Sequence, residues 1–263
     1  MAAKNKSILE GIKDVFFNSL SVILFFVVWE VGPRLGLLKS TLVSPPSEIL
    51  VCFIKLITDE KLFSHIEVSL FRSVIGFIIA IIIGIPLGFL LGGWFKTFEK
   101  LVEPLLKFLG QFNPFSLFPI FILILGIGEV SKIAMIFWVC LWPVVFNTTT
   151  GVKELDPLLI KSGRAMGLGK FKLLTKIVLP GATPYIFNGF KLASSTAFFM
   201  LIAAEMMGAS KGLGWLVWNA QVNFQIPKLY AGTVLISVLG LIINWLFKIW
   251  EKRILVWKEH AIN

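Results

Sequence analysis

Long, nearly unbroken apolar stretches alternate along the 263-residue chain with short segments carrying charge, glycine and proline. A bilayer core about 30 Å thick takes about 20 helical residues per crossing. Six stretches are candidates: Phe16–Val31, Ser73–Leu91, Leu105–Leu125, Ile133–Val145, Tyr185–Met207 and Ala231–Ile249. Two other segments break the pattern. After the turn Ser44-Pro45-Pro46-Ser47, residues Glu48 to Thr58 read as a helix capped by Ser47. It is too short to cross and is expected on the outer surface. Leu158 to Pro184 is the longest run that is neither a span nor a tail. Asp156-Pro157 starts a helix there, as N-cap and first helical residue. Gly167-Leu168-Gly169 turns the chain, Phe171, Leu174 and Val178 form a second apolar line, and Pro180 is expected to end it. Two short helices at an angle, apolar inside and basic outside, suit docking onto a partner or onto the bilayer surface.

The spans carry an inner pattern of their own. Gly76, Ala80, Gly84, Gly88 and Gly92 recur every four residues and form one stripe of a helix. In lipid such a stripe lets a second helix approach closely. The fifth span repeats the device at Gly189, Ala193 and Ala197, and Pro86 is expected to kink the second. The third span holds Gln111, Asn113, Pro114 and Pro119, whose broken backbone bonds suit either a kink for packing or a wall of a wet cavity. The fourth is expected to end at Trp142-Pro143, followed by Asn147-Thr148-Thr149-Thr150. Glu205, near the outer end of the fifth, is costly against lipid and must meet protein or water. Candidate path residues are therefore Asn113, Pro114, Asn147, Thr148 and Glu205.

Composition sharpens the class: 57% of residues are hydrophobic and 15% charged, where soluble domains carry about a quarter charged. The fold class expected is an all-α polytopic membrane protein of about six transmembrane helices. The net charge of +10 follows topology rather than nucleic acid. With both termini in the cytoplasm, the inner segments collect most of the basic residues, Lys161, Arg164 and Lys170 among them. Two cysteines and two histidines cannot build a metal cluster, so no metal site is expected. Gly163 to Lys170 imitates a phosphate-binding loop but has five residues between its glycines and Phe171 after the lysine. No nucleotide cofactor is expected on this chain, and no nucleophile–base pair marks an enzyme. The chain divides into 1–72, with the first span and the outer helix, a core over 73–250 containing the loop 151–184, and a cytoplasmic tail over 251–263.

The loop resembles the cytoplasmic loop of permease subunits in binding-protein-dependent ABC importers. That loop runs E-A-A, three residues, Gly, nine residues, Ile, one residue, Leu-Pro. Gly167, Ile177, Leu179 and Pro180 hold the later positions, whereas Lys161-Ser162-Gly163 stands where E-A-A is usual. Further likenesses point to the nitrate, sulfonate and taurine branch: His65 with Ser69-Leu70, Arg72 and Gly76-Phe77, then Gly126-Ile127-Gly128-Glu129 with Ser131-Lys132, and Ala204-Glu205 with Gly212-Leu213-Gly214. The branch also includes permeases for bicarbonate and for thiamine- or riboflavin-related compounds. The resemblance implies a type I importer fold and a pair of permease copies. It also implies an ATPase dimer that carries ATP and Mg, and an extracytoplasmic solute-binding protein. The loop residues expected to meet the ATPase are Lys161, Ser162, Gly163, Arg164, Ala165, Gly167, Leu168, Lys170, Ile177 and Pro180. The competing reading, a self-sufficient channel or secondary transporter, would usually need intramembrane acids, and only Glu30 and Glu205 qualify.

Overall fold

The computed structural model describes residues 20–37, 39, 42–58, 62–94 and 96–254. The helices are α1 (20–34), α2 (Pro46–Thr58), α3 (Leu62–Phe89), α4 (Lys96–Gly110), α5 (Pro114–Leu125), α6 (Glu129–Lys153), α7 (Pro157–Ala165), α8 (Lys170–Leu173), α9 (Leu179–Gly208), α10 (Leu213–Val222) and α11 (Ile226–Ile254). Among the described residues there is no strand. Four helical stretches are long and apolar enough to cross a membrane: Leu62–Gly93, Glu129–Lys153, Lys170–Gly208 and Ile226–Glu251. A fifth is possible only if a bent pair, Thr97–Gly110 with Pro114–Leu125, counts as one crossing.

Several expectations change. The third candidate span is broken, with 95° between its two halves. Asn113 caps the second half, its Oδ1 accepting the Phe115 N–H at 2.9 Å, and Pro114 occupies the first helical turn. The pair Asn113-Pro114 is thus a helix start inside what reads as one apolar run. The basic segment that leads into it is itself helical, as α4. The fourth span does not end at Pro143: α6 continues to Lys153 and takes Asn147 to Thr150 into its last turns. Pro180 does not stop the loop's second helix either. A π-helical turn over Leu174–Val178 joins α8 to α9, with the Leu179 N–H bonded to the Leu174 carbonyl. The wider turn shifts the hydrogen-bond register just where Pro180 has no N–H to give. Part of the first candidate span, and the expected cytoplasmic tail beyond Ile254, lie outside the described residues.

Contacts divide the chain into two compact units, one formed by residues up to Leu62 together with Leu216–Leu235, the other by Phe63–Trp215 together with the chain from Ile236. In the first, the Glu30 carboxylate accepts the Ser47 N–H at 3.0 Å and its hydroxyl at 2.7 Å, so Glu30 rather than Ser47 completes the start of α2. Arg34 pairs with Glu30 at 2.6 Å.

The second unit is built on α6, with α3 parallel to it and α9 antiparallel. A Cβ placed on Gly76 would lie 2.7 Å from Ile136, on Gly84 2.8 Å from Val144, and on Gly88 and Gly92 2.5 Å from Thr148 and Val152. Ala80 joins the same line, buried with Cys140. Each stripe residue therefore meets α6 at a constant offset, and the two backbones approach as closely as glycine permits. On the other face, Gly151 admits Tyr185 and Gly189 admits Asn147, which draws α9 against α6 in the opposite sense. The core between them is Ala80, Ile136, Cys140, Val144, Ala193, Ala197 and Leu201.

Candidate functional site

The stretch between α6 and α9 forms one end of this bundle. Its first helix is capped as its sequence suggests: the Asp156 side chain accepts the Leu158 N–H at 2.8 Å, and Pro157 opens α7. The helix closes on Gly167, whose φ of +76° belongs to the left-handed region. The Gly167 N–H donates to the Arg164 carbonyl at 3.0 Å and the Leu168 N–H to the Gly163 carbonyl at 3.1 Å. This is the paired bond pattern of a Schellman stop, and it sets the angle at which the chain leaves for α8.

Gly163 fixes the rest. It is buried, and a Cβ there would stand 2.5 Å from Ile177 Cδ1 and 2.8 Å from Leu173 Cδ1. The small third position of the Lys161-Ser162-Gly163 triplet thus lets α7 lie directly on the residue at the Ile177 position. That contact turns the leucines the other way. Leu158 is 68% exposed, Met166 71% and Phe171 76%, with Leu159 also exposed. The expected arrangement, apolar inside and basic outside, is therefore half reversed: the inward face is Gly163, Leu173 and Val178, and an apolar patch points out among cations. Lys161, Ser162, Arg164, Ala165, Lys170 and Pro180 are exposed, and Leu168 and Ile177 are half-buried.

The opposite end is sealed by charge. Arg72 of α3 is 2% exposed and holds Glu205 of α9, which is fully buried, at 2.7 Å. The same nitrogen, Nη1, also donates to the Lys211 carbonyl at 2.8 Å, while Nε and Nη2 reach Glu129 at the start of α6, Nη2 at 2.7 Å. Glu205 also accepts the Ser69 hydroxyl at 2.7 Å and the Gly214 N–H at 2.9 Å. Ser69 accepts the Leu213 N–H at 2.9 Å, and His65 Nδ1 accepts the Gly212 N–H at 3.1 Å while its ring stacks on Trp215. Lys132 donates to the Gly128 carbonyl at 3.1 Å. Buried charges persist when they are paired and hydrogen-bonded, as Arg72 and Glu205 are here, and the exposed Glu129 carboxylate meets the guanidinium from outside. Three motifs far apart in sequence, around Arg72, Glu129 and Glu205, thus form one polar lock.

The candidate path residues are not brought together. Asn113 and Pro114 sit at the bend before α5, Glu205 in the lock, and Thr148 fully buried against Gly88, its hydroxyl without a hydrogen-bond partner among the described residues. Asn147, on α6, faces α9, and its Nδ2 donates to the Pro143 carbonyl while its Oδ1 accepts from Asn188 Nδ2, both at 2.9 Å. Among the described residues no group of His, Cys, Asp and Glu is arranged to hold a metal.

Residues 84–256 match the family described as binding-protein-dependent transport system inner membrane component. The chain belongs to this family. It is the permease subunit of an ABC importer, a multi-pass protein of the inner membrane, and its relatives place it in the sulfonate, taurine and nitrate branch. The putative aliphatic sulfonates transport permease protein SsuC of Bacillus subtilis (strain 168) is 31% identical over 88% of this chain and 84% of its own. The taurine transport system permease protein TauC of Escherichia coli (strain K12) is 27% identical over 91% and 88%. The nitrate import permease protein NrtB of Leptolyngbya laminosa is 29% identical over 71% and 67%. Among solved structures, a chain of the inward-facing MetNI methionine ABC transporter superposes with a TM-score of 0.66 over 73% of this chain and 95% of its own, at 19% identity. At that identity the likeness establishes the fold, that of a type I importer permease.

Proposed function

We propose that this permease pairs with a second copy of itself to form the translocation path for a small oxyanion, such as a sulfonate, taurine or nitrate. A solute-binding protein delivers the solute outside, and a separate ATPase dimer, carrying ATP and Mg, docks on the loop. The single observation behind the coupling role is the exposed patch of Leu158, Leu159, Met166 and Phe171, ringed by Lys161, Arg164, Lys170 and Lys172 on a loop whose turn is held by Gly167. Apolar side chains displayed this way on a rigid turn suit burial against a protein groove. From Pro157 to Ala204 the chain has no acidic residue, so the groove that receives the patch is acidic at its rim.

The proposed orientation has the loop and both termini inside. If the loop is cytoplasmic, α6 enters the inner side at its C-terminal end and α3 runs with it. The lock of Arg72, Glu129 and Glu205 then faces the binding protein. Lipid covers the apolar faces of the bundle, and nucleic acid has no part. Binding of ATP draws the ATPase pair together, and the loop carries that movement into α9 through the continuous helical path from Lys170 to Gly208. Access then alternates between the two sides.

Purification with the ATPase from one operon tests this reading. We expect a stable complex whose ATP hydrolysis is stimulated by loaded binding protein. Gly167→Pro, which removes the N–H bonded to Arg164 and forbids a positive φ, is expected to abolish the stimulation. Stimulated hydrolysis unchanged in that variant would remove the coupling role.

A further inference from the structure

We infer that Asn188, oriented by Asn147, lines the solute path and offers its free amide to a passing oxyanion; this rests on the transport reading above. The geometry is specific. Gly189 lets α9 close on α6, where a Cβ would lie 3.0 Å from Asn147 Cβ and from the Pro143 carbonyl oxygen. Gly151 does the same one turn away against Tyr185. These two contacts set residue 188 beside residue 147. The Asn147 amide is then used at both ends, donating to Pro143 and accepting from Asn188. Asn188 spends one N–H on that bond. Its second N–H and its carbonyl oxygen have no partner among the described residues, and the side chain is exposed.

Its surroundings say what it faces. Tyr185, Asn188, Leu192, Thr196 and Phe199 make one exposed stripe along α9, polar and apolar by turns. A primary amide with open hydrogen-bonding groups is expensive against lipid, so within a membrane-crossing helix it belongs against water or protein. Asn147 stands six residues, about 9 Å of helix rise, from the end of α6, so the pair lies along the bundle rather than beyond it. A neutral donor suits transit. It can replace part of an oxyanion's hydration without holding the ion as a fixed cation would, and conduction requires release as well as entry. A bond between two helices could serve packing alone. Packing, however, leaves no reason for the unpaired half of Asn188 to face outward.

The test uses the assembled complex with its ATPase and binding protein, with Cys52→Ser and Cys140→Ala as background. Asn188→Cys is expected to react with a water-soluble, membrane-impermeant thiol reagent, and to be protected severalfold during taurine-driven turnover. Asn188→Asp, nearly the same shape with a negative charge, is expected to lower import of taurine or an alkanesulfonate at least tenfold while the complex still purifies intact. Asn188→Ser is expected to keep most of the import. A thiol that reacts only after the complex is unfolded would place Asn188 against the second copy or lipid and overturn the inference. So would unchanged import by Asn188→Asp. If the wild-type complex assembles and couples but imports none of taurine, an alkanesulfonate or nitrate, the substrate reading and the oxyanion assignment both fall. Aqueous modification at residue 188 would still place it in the path.

Discussion

The two ends of the α3–α6–α9 bundle solve opposite problems. At one end Arg72, Glu205 and Ser69 are buried and hydrogen-bonded to one another. At the other, Leu158, Met166 and Phe171 are apolar and open, with cations around them and little to satisfy either. A buried cluster bonded to itself can hold helices together but offers little to a partner. An unsatisfied surface adds little to the fold and is ready to be covered. On the proposed reading, the lock serves stability and position, and the loop serves assembly and coupling.

That contrast can be broken from the side of the lock first. Arg72→Ala removes the partner of a fully buried carboxylate, and such a loss costs about 3–5 kcal/mol. We expect a large drop in thermal stability in detergent, partly recovered when Glu205→Gln is added, with the loop's affinity for the ATPase unchanged in the protein that survives. A stability change below about 1 kcal/mol would mean that the lock does not hold the bundle. A smaller effect is expected in the seam below it. Gly88→Val would drive new atoms into Thr148, whose Cβ would stand only 2.5 Å from a Cβ at position 88, and overpacking costs about 1–3 kcal/mol. The same substitution at Gly128, where a Cβ meets nothing within 4 Å, serves as the control in a thermal melt. Equal melting of the two would deny that the stripe is a contact surface.

Much of this architecture is legible in the sequence, and the exceptions have physical causes. The four-residue spacing from Gly76 to Gly92 identifies a packing stripe because helical periodicity is local. Asp156-Pro157 and Gly167 identify the ends of α7 for the same reason. Spacing cannot supply anything set by a partner in space. Glu205 reads as a costly residue without its arginine, which lies 133 positions away. Asn188 is inconspicuous in an apolar span because its partner, Asn147, is 41 residues distant. The break in the third candidate span escapes hydropathy, which is blind to a cap. Asn113-Pro114 is a helix start, but the apolar residues on both sides conceal it. Part of the loop's apolar face points outward against expectation because Gly163 reads as a mere departure from the usual alanine. In the fold it is the contact that lets Ile177 in, and the leucines turn outward as a result.

The docking role of the open end is tested most directly by a photo-crosslinking residue placed at Phe171, with a second at Ile127 as the far-end control. Both positions are exposed, 76% and 79%, so neither substitution should disturb the fold. In the assembled transporter we predict a crosslink from position 171 to the ATPase and none from position 127. An intact, ATP-hydrolysing complex in which position 171 captures only lipid would contradict the docking role.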